Sequence, residues 1–161
     1  MKWDDCLEYK VKKVKENPEQ AKALFELANK RLESINKRRK DEYAQFLIES
    51  YYEVIKELIS ALLSIHGYKS YSHECLVSFV KEYYSDILDE YELHFVDSMR
   101  KLRSDIQYRG ADVADDYMQR NLSTITNVIH SCSVKPSIHL INAVCSHSDP
   151  MLDLHTLQYV P

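Results

Sequence analysis

The sequence predicts an all-α protein, an antiparallel bundle of about five main helices, and three observations carry that prediction. Only two glycines occur, Gly67 and Gly110, and no proline lies between Pro18 and Pro136, so the long central span contains almost nothing that breaks a helix. Apolar residues recur across that span at spacings of three and four. Hydrophobic residues make up 45% of the 161, enough for the core of one domain.

The elements follow in order. Residues 4–15 are expected to form a short charged helix with a weak stripe of Leu7, Val11 and Val14. Asn17 is a suitable N-cap and Pro18 a suitable first residue for a helix carrying Ala21, Leu24, Ala28, Leu32 and Ile35 to about Arg39. The longest helix runs from about Asp41 to His66. Leu47, Tyr51, Val54, Leu58, Leu62 and Ile65 make one stripe and Ile48, Tyr52, Ile55 and Ile59 a second, so its apolar arc faces more than one neighbour. Gly67 stops it. Ser72 caps a helix with Cys75, Leu76, Phe79, Val80 and Tyr83 inward, which breaks near Ser85. Leu88, Tyr91, Phe95, Met99, Leu102 and Ile106 then mark a helix ending at Gly110, and a last one begins after Asp112 with Val113, Tyr117, Leu122, Ile125 and Ile129 inward. Residues 1–130 are the expected bundle. Residues 131–161 hold one lysine, two aspartates and three prolines and show no sustained helical period, so an irregular tail is expected whose removal exposes little core.

Composition excludes several classes. The most apolar run, residues 46–65, contains Glu49, Glu53, Lys56 and Glu57, which a bilayer core would penalise. No secretory leader pattern is seen, and a cytoplasmic protein is expected. Cys6, Cys75, Cys132 and Cys145 show no CxxC pairing and are expected as free thiols. The net charge of −4 conceals a division: residues 1–40 carry 12 basic and 7 acidic side chains, residues 41–99 carry 3 and 12. Lys37, Arg38, Arg39 and Lys40 are the densest basic run; they suit a helix C-terminus and equally a local anion patch. There is no glycine-rich phosphate loop and no Ser-His-Asp signature, and no cofactor is expected.

The most informative stretch is residues 99–110. It sets Arg100, Arg103, Ser104, Tyr108 and Arg109 at the end of an amphipathic helix, with Arg103 beside the inward stripe of Met99, Leu102 and Ile106. These are the candidate contacts to a nucleotide or RNA phosphate. Two uses of Arg103 are open, an ion pair within the bundle or a ligand contact, while Asp97 and Asp105 are intrahelical partners for Arg100 and Arg109.

Together with the loop Gly67-Tyr68-Lys69-Ser70-Tyr71-Ser72-His73-Glu74, this stretch resembles a prokaryotic HEPN domain over about residues 18–130. The resemblance implies a dimerising helical bundle, often paired with a small nucleotidyltransferase, whose members include metal-independent ribonucleases and non-catalytic versions. It also implies an arginine followed four to six residues later by a histidine. Arg103 matches the arginine, Ser104 stands where Asn is frequent, and Tyr108 stands where the histidine is expected. Gly110 occupies the position of a tyrosine modified in one antitoxin-paired subgroup. A phenol of ordinary pKa is ionised to roughly one part in a thousand at pH 7, which makes a tyrosine at position 108 a poor general base, and residues five apart on a helix diverge by about 140°. The expectation is therefore a homodimeric binding or partner module for a nucleotide, RNA or a nucleotidyltransferase. The alternatives are a metal-independent ribonuclease using Arg103 with Tyr108 or His73, and a purely structural oligomer. His73 and Glu74 also fit a capped first helical turn. His130, Cys132, Cys145 and His147 form a weak zinc candidate, since their one-residue spacers are not those of ordinary zinc sites.

Overall fold

The computed structural model describes the backbone of residues 1–114 and 116–145, and side chains as far as residue 134. The chain forms α1 (Trp3–Tyr9), β1 (Val11–Lys13), α2 (Pro18–Arg38), α3 (Ala44–Ile65), β2 (Tyr68–Ser70), α4 (His73–Tyr83), α5 (Glu90–Arg109) and α6 (Tyr117–Cys145). The five long helices are those the periodicity predicts.

α3 is the axis of the bundle. Its two apolar stripes bury Leu47, Ile48, Tyr51, Tyr52, Val54, Ile55, Leu58, Ile59, Leu62 and Leu63, and it packs against α2, α4, α5 and α6. Each large aliphatic side chain so buried contributes about 1.5–3 kcal/mol. Its neighbours present Ala28 and Ile35 from α2, Phe79 and Val80 from α4, Val96 and Met99 from α5, and Ile125, Val128 and Ile129 from α6. One acid in this arc, Glu57, is almost fully buried; Arg31 of α2 answers it with Nε and Nη2, the closest contact being 2.7 Å.

Local chemistry sets the helix ends. The Asn17 side chain accepts from the Gln20 N–H at 2.9 Å, and the Asn17 N–H donates to the Ser64 carbonyl at 2.9 Å, which places the start of α2 beside the end of α3. Asp89 and Glu92 form a reciprocal capping box at the start of α5. Gly110 ends α5 in the left-handed conformation. Gly67, at φ +67°, does more: its carbonyl accepts from the Val14 N–H at 2.8 Å, so the turn after α3 holds the segment entering α2.

Four expectations change. Residues 11–13 are a strand, not helix, because they pair antiparallel with β2, Val11 opposite Ser70 and Lys13 opposite Tyr68. α6 begins at Tyr117 rather than directly after Asp112, since Asp112 is used in the loop, accepting from Gln45 Nε2 at 2.8 Å. It then passes His130 and Pro136 to reach Cys145. Cys132 extends the buried stripe of Ile125, Val128 and Ile129, so the bundle core does not stop at residue 130. Low charge and the missing proline N–H mask this continuity in the sequence. Residues 146–161, the remainder of the expected tail, lie outside the described residues. Finally, Cys6 and Cys75 are disulfide-bonded, with Cα atoms 5.7 Å apart, whereas Cys132 is a free, buried thiol. The partners are 69 residues apart, so no short spacing announces them; packing of α1 on α4 brings them together.

The two glycines separate backbone strain from collision. A Cβ on Gly110 would meet nothing within 4 Å, whereas on Gly67 it would lie 2.6 Å from the Val14 carbonyl oxygen. Both positions carry the left-handed penalty of about 1–2 kcal/mol for an L residue. In urea denaturation Gly110→Ala should therefore lose about 1 kcal/mol and Gly67→Ala at least twice that; equal losses would show that the turn yields freely.

Candidate functional site

α5 lies antiparallel to α3, as the pairs Gln45 with Asp112 and Glu53 with Arg103 require. The helix is regular through Arg109. Its Arg103 therefore falls at the α3 seam, and Ile106 in its last turn still packs against the core. The Arg103 side chain is only 20% exposed; Nη2 donates to Glu53 Oε1 at 3.3 Å, and its buried Nε–H finds no acceptor among the described residues. Lys56, one turn along α3, pairs with the same Glu53. Arg100 donates from Nε to Asp97 at 2.8 Å and lies 3.9 Å from Glu74 of α4. Lys101 shares Asp97, and Lys10 bonds Glu74 at 3.1 Å. In these two neighbouring sets of pairs Lys10, Lys56, Arg100, Lys101 and Arg103 face Glu53, Glu74 and Asp97, which leaves an excess of positive charge.

The first residue of α4 completes the cluster. His73 sets its ring against Tyr52 of α3, centroids 5.9 Å apart. Desolvation of the ring, then the charges of Lys56 and Arg103, hold its pKa below the ordinary imidazole value; Glu53 opposes and Arg100 adds to the lowering. At neutral pH the imidazole is thus mostly uncharged, although its outer edge is exposed to solvent. Tyr52 beneath it is buried, and burial above all pushes its phenol up to about 12, so it remains a hydroxyl donor. Two ties fix this corner: the Lys10 to Glu74 pair and the Cys6–Cys75 disulfide, one and two residues after His73.

The other sequence candidates separate. Tyr108 is 78% exposed, and on a regular helix it points about 140° away from Arg103, so one chain does not bring the two together. Ser104 is half-buried, and Arg109 is exposed and paired with Asp105 at 3.1 Å. His130 and Cys132 sit two residues apart on continuous helix, so they face nearly opposite directions; Cys132 is buried in the core, where desolvation pushes its thiol up to about 12. Among the described residues no group could hold a metal ion. The Cys145 side chain and His147 lie outside the described residues. No helix of the described residues is long and apolar enough to cross a membrane.

Sequence reasoning did not single out Glu53, Lys56 and Tyr52 as site residues. A signal for the first two was present, since charged residues inside the apolar arc of a buried helix must be paired. Their partners come from other helices, which periodicity does not reveal.

The shifted imidazole can be read directly. Because folding lowers the His73 pKa, the unfolded chain binds more protons near pH 6, so acidification there weakens the native state and raising the pH restores it. By NMR the His73 ring should titrate below about 6.5. The midpoint should rise in Lys56→Met. A wild-type midpoint above the ordinary value would contradict the arrangement.

A family model for the HEPN domain matches residues 21–135. No curated protein and no solved structure matches the chain. The matched residues span α2 to α5 and much of α6, including every helix that supplies Glu53, Lys56, His73, Arg100 and Arg103. The chain belongs to the HEPN domain family.

Proposed function

We propose that this HEPN domain is a phosphate-recognising module that takes a nucleotide or an RNA phosphate on Arg100 and Arg103, acting as a homodimer or with a small nucleotidyltransferase rather than as an efficient nuclease. The buried, unpartnered Arg103 Nε–H within a net-positive cluster is the observation that carries this reading. A phosphate oxygen supplies the acceptor that Glu53 leaves unfilled, and a guanidinium offers a second donor in the same plane. Carboxylates on both arginines hold the forks in place before a ligand arrives, and part of their charge must be displaced when it does. Such a site suits recognition.

A second reading, a metal-independent ribonuclease, draws on His73. Cleavage by the 2′-hydroxyl needs a neutral base near a cation that stabilises the phosphorane, and an imidazole of lowered pKa within electrostatic reach of Arg103 has that character. Tyr108 does not.

Anisotropy of labelled single-stranded RNA and of a labelled adenine nucleotide, in chelator and at fixed low salt, tests the proposal. Arg103→Ala should weaken binding about 10- to 100-fold, the equivalent of one or two charge-assisted hydrogen bonds, with helical circular dichroism retained. Intact RNA after incubation supports the binding module. Cleavage lost in both Arg103→Ala and His73→Ala but kept in Tyr108→Phe would establish the ribonuclease instead. Binding indifferent to Arg103 would overturn both. Light scattering should give roughly twice 18.9 kDa.

A further inference from the structure

The basic run at residues 37–40 divides in two. Lys37 pairs with Glu33 at 2.6 Å, and Arg38 bonds Ser50 at 2.7 Å and lies near Glu42. Arg39 and Lys40 have no carboxylate partner among the described residues. They stand instead at the rim of a cleft of about 310 Å3 between the end of α2, the first half of α3 and the first turn of α6. Its walls are apolar, from Leu47, Met118 and Leu122. Gln119 adds an exposed amide to the lining, and one buried polar residue joins it: Tyr51, 1% exposed, whose hydroxyl lies beside the Arg39 guanidinium yet makes no hydrogen bond of acceptable geometry.

We infer that this cleft is a second anion site, separate from the Arg103 cluster, which takes a small phosphate monoester with an apolar ring as its body. Each part of the cleft answers one part of such a molecule. A doubly charged phosphate is matched by two cations that no described carboxylate pairs, and the first turn of α6 adds the positive end of a long helix. Asp116 at that end is occupied by Arg120 at 3.0 Å. The Tyr51 hydroxyl can donate to a phosphate oxygen or to the bridging ester oxygen, and losing its isolation is itself favourable, since an unmatched buried hydroxyl is costly. The ring then packs against Met118 and Leu122. The volume lies at the lower end of ordinary small-molecule sites, which excludes a large ligand. The C-terminal end of α2 opposes an anion, and Arg39 and Lys40 offset it.

Phenyl phosphate, inorganic phosphate and phenol are suitable probes in calorimetry and in amide NMR of the whole chain. Phenyl phosphate should bind saturably and at least tenfold more tightly than either fragment, shifting amides around Leu47, Tyr51 and Leu122. The exposed pair Arg39→Ala with Lys40→Ala should weaken it tenfold or more without loss of helicity. Tyr51→Phe, which removes only the hydroxyl, should weaken it several-fold. Arg103→Ala should leave it unchanged, which keeps this inference separate from the proposed function. No saturable binding, binding indifferent to Arg39, Lys40 and Tyr51, or binding abolished by Arg103→Ala would each overturn it.

Discussion

Everything in this fold depends on surrounding α3. A helix of 22 residues with two adjacent apolar stripes cannot be satisfied by one partner, so α2, α4, α5 and α6 must close around it. The same helix carries Glu53, Lys56 and Glu57 within or beside the buried arc. An ionised group there costs several kcal/mol unless it is paired, so the surrounding helices must also bring the right charges. α2 supplies Arg31 to Glu57, and α5 supplies Arg103 to Glu53. The first pair closes a structural contact. The second leaves Arg103 with a buried donor unfilled at the seam, and so the constraint that builds the bundle also creates its candidate site.

The site is a compromise between order and availability. Arginines without partners would be mobile and well hydrated, and binding a phosphate would then require ordering long side chains at that moment. Here Asp97 and Glu53 set the directions of Arg100 and Arg103 beforehand. His73 owes its place to the N-terminal segment, where α1 and β1 are fastened to the start of α4 by Lys10, the disulfide and the pairing of β1 with β2. Neither feature is local in sequence, yet both meet within one corner of the bundle.

The order of the helices is legible in the amino-acid sequence, and for identifiable reasons. Asn17, Pro18, Gly67 and Gly110 mark helix ends by local chemistry, and the stripes of α3 and α5 are periodic. Arg103 stands out because it leaves its helix beside the apolar stripe. Three things are hidden. β1 is held by a ladder with a strand more than fifty residues away, and its short apolar spacing imitates a helix. Cys6 and Cys75 carry no signal of each other. Nothing in the sequence chooses His73 over Tyr108 as the neighbour of Arg103; that choice comes from the packing of α4 and α5 on α3 and on each other.

A crystal structure with a short single-stranded oligoribonucleotide, in chelator, tests the central claim most directly. The account predicts a phosphate oxygen within hydrogen-bonding distance, about 3 Å, of Arg103 and close to Arg100, with Glu53 displaced or sharing the guanidinium. An oligonucleotide seated elsewhere, with Arg103 still facing Glu53 alone, would contradict it.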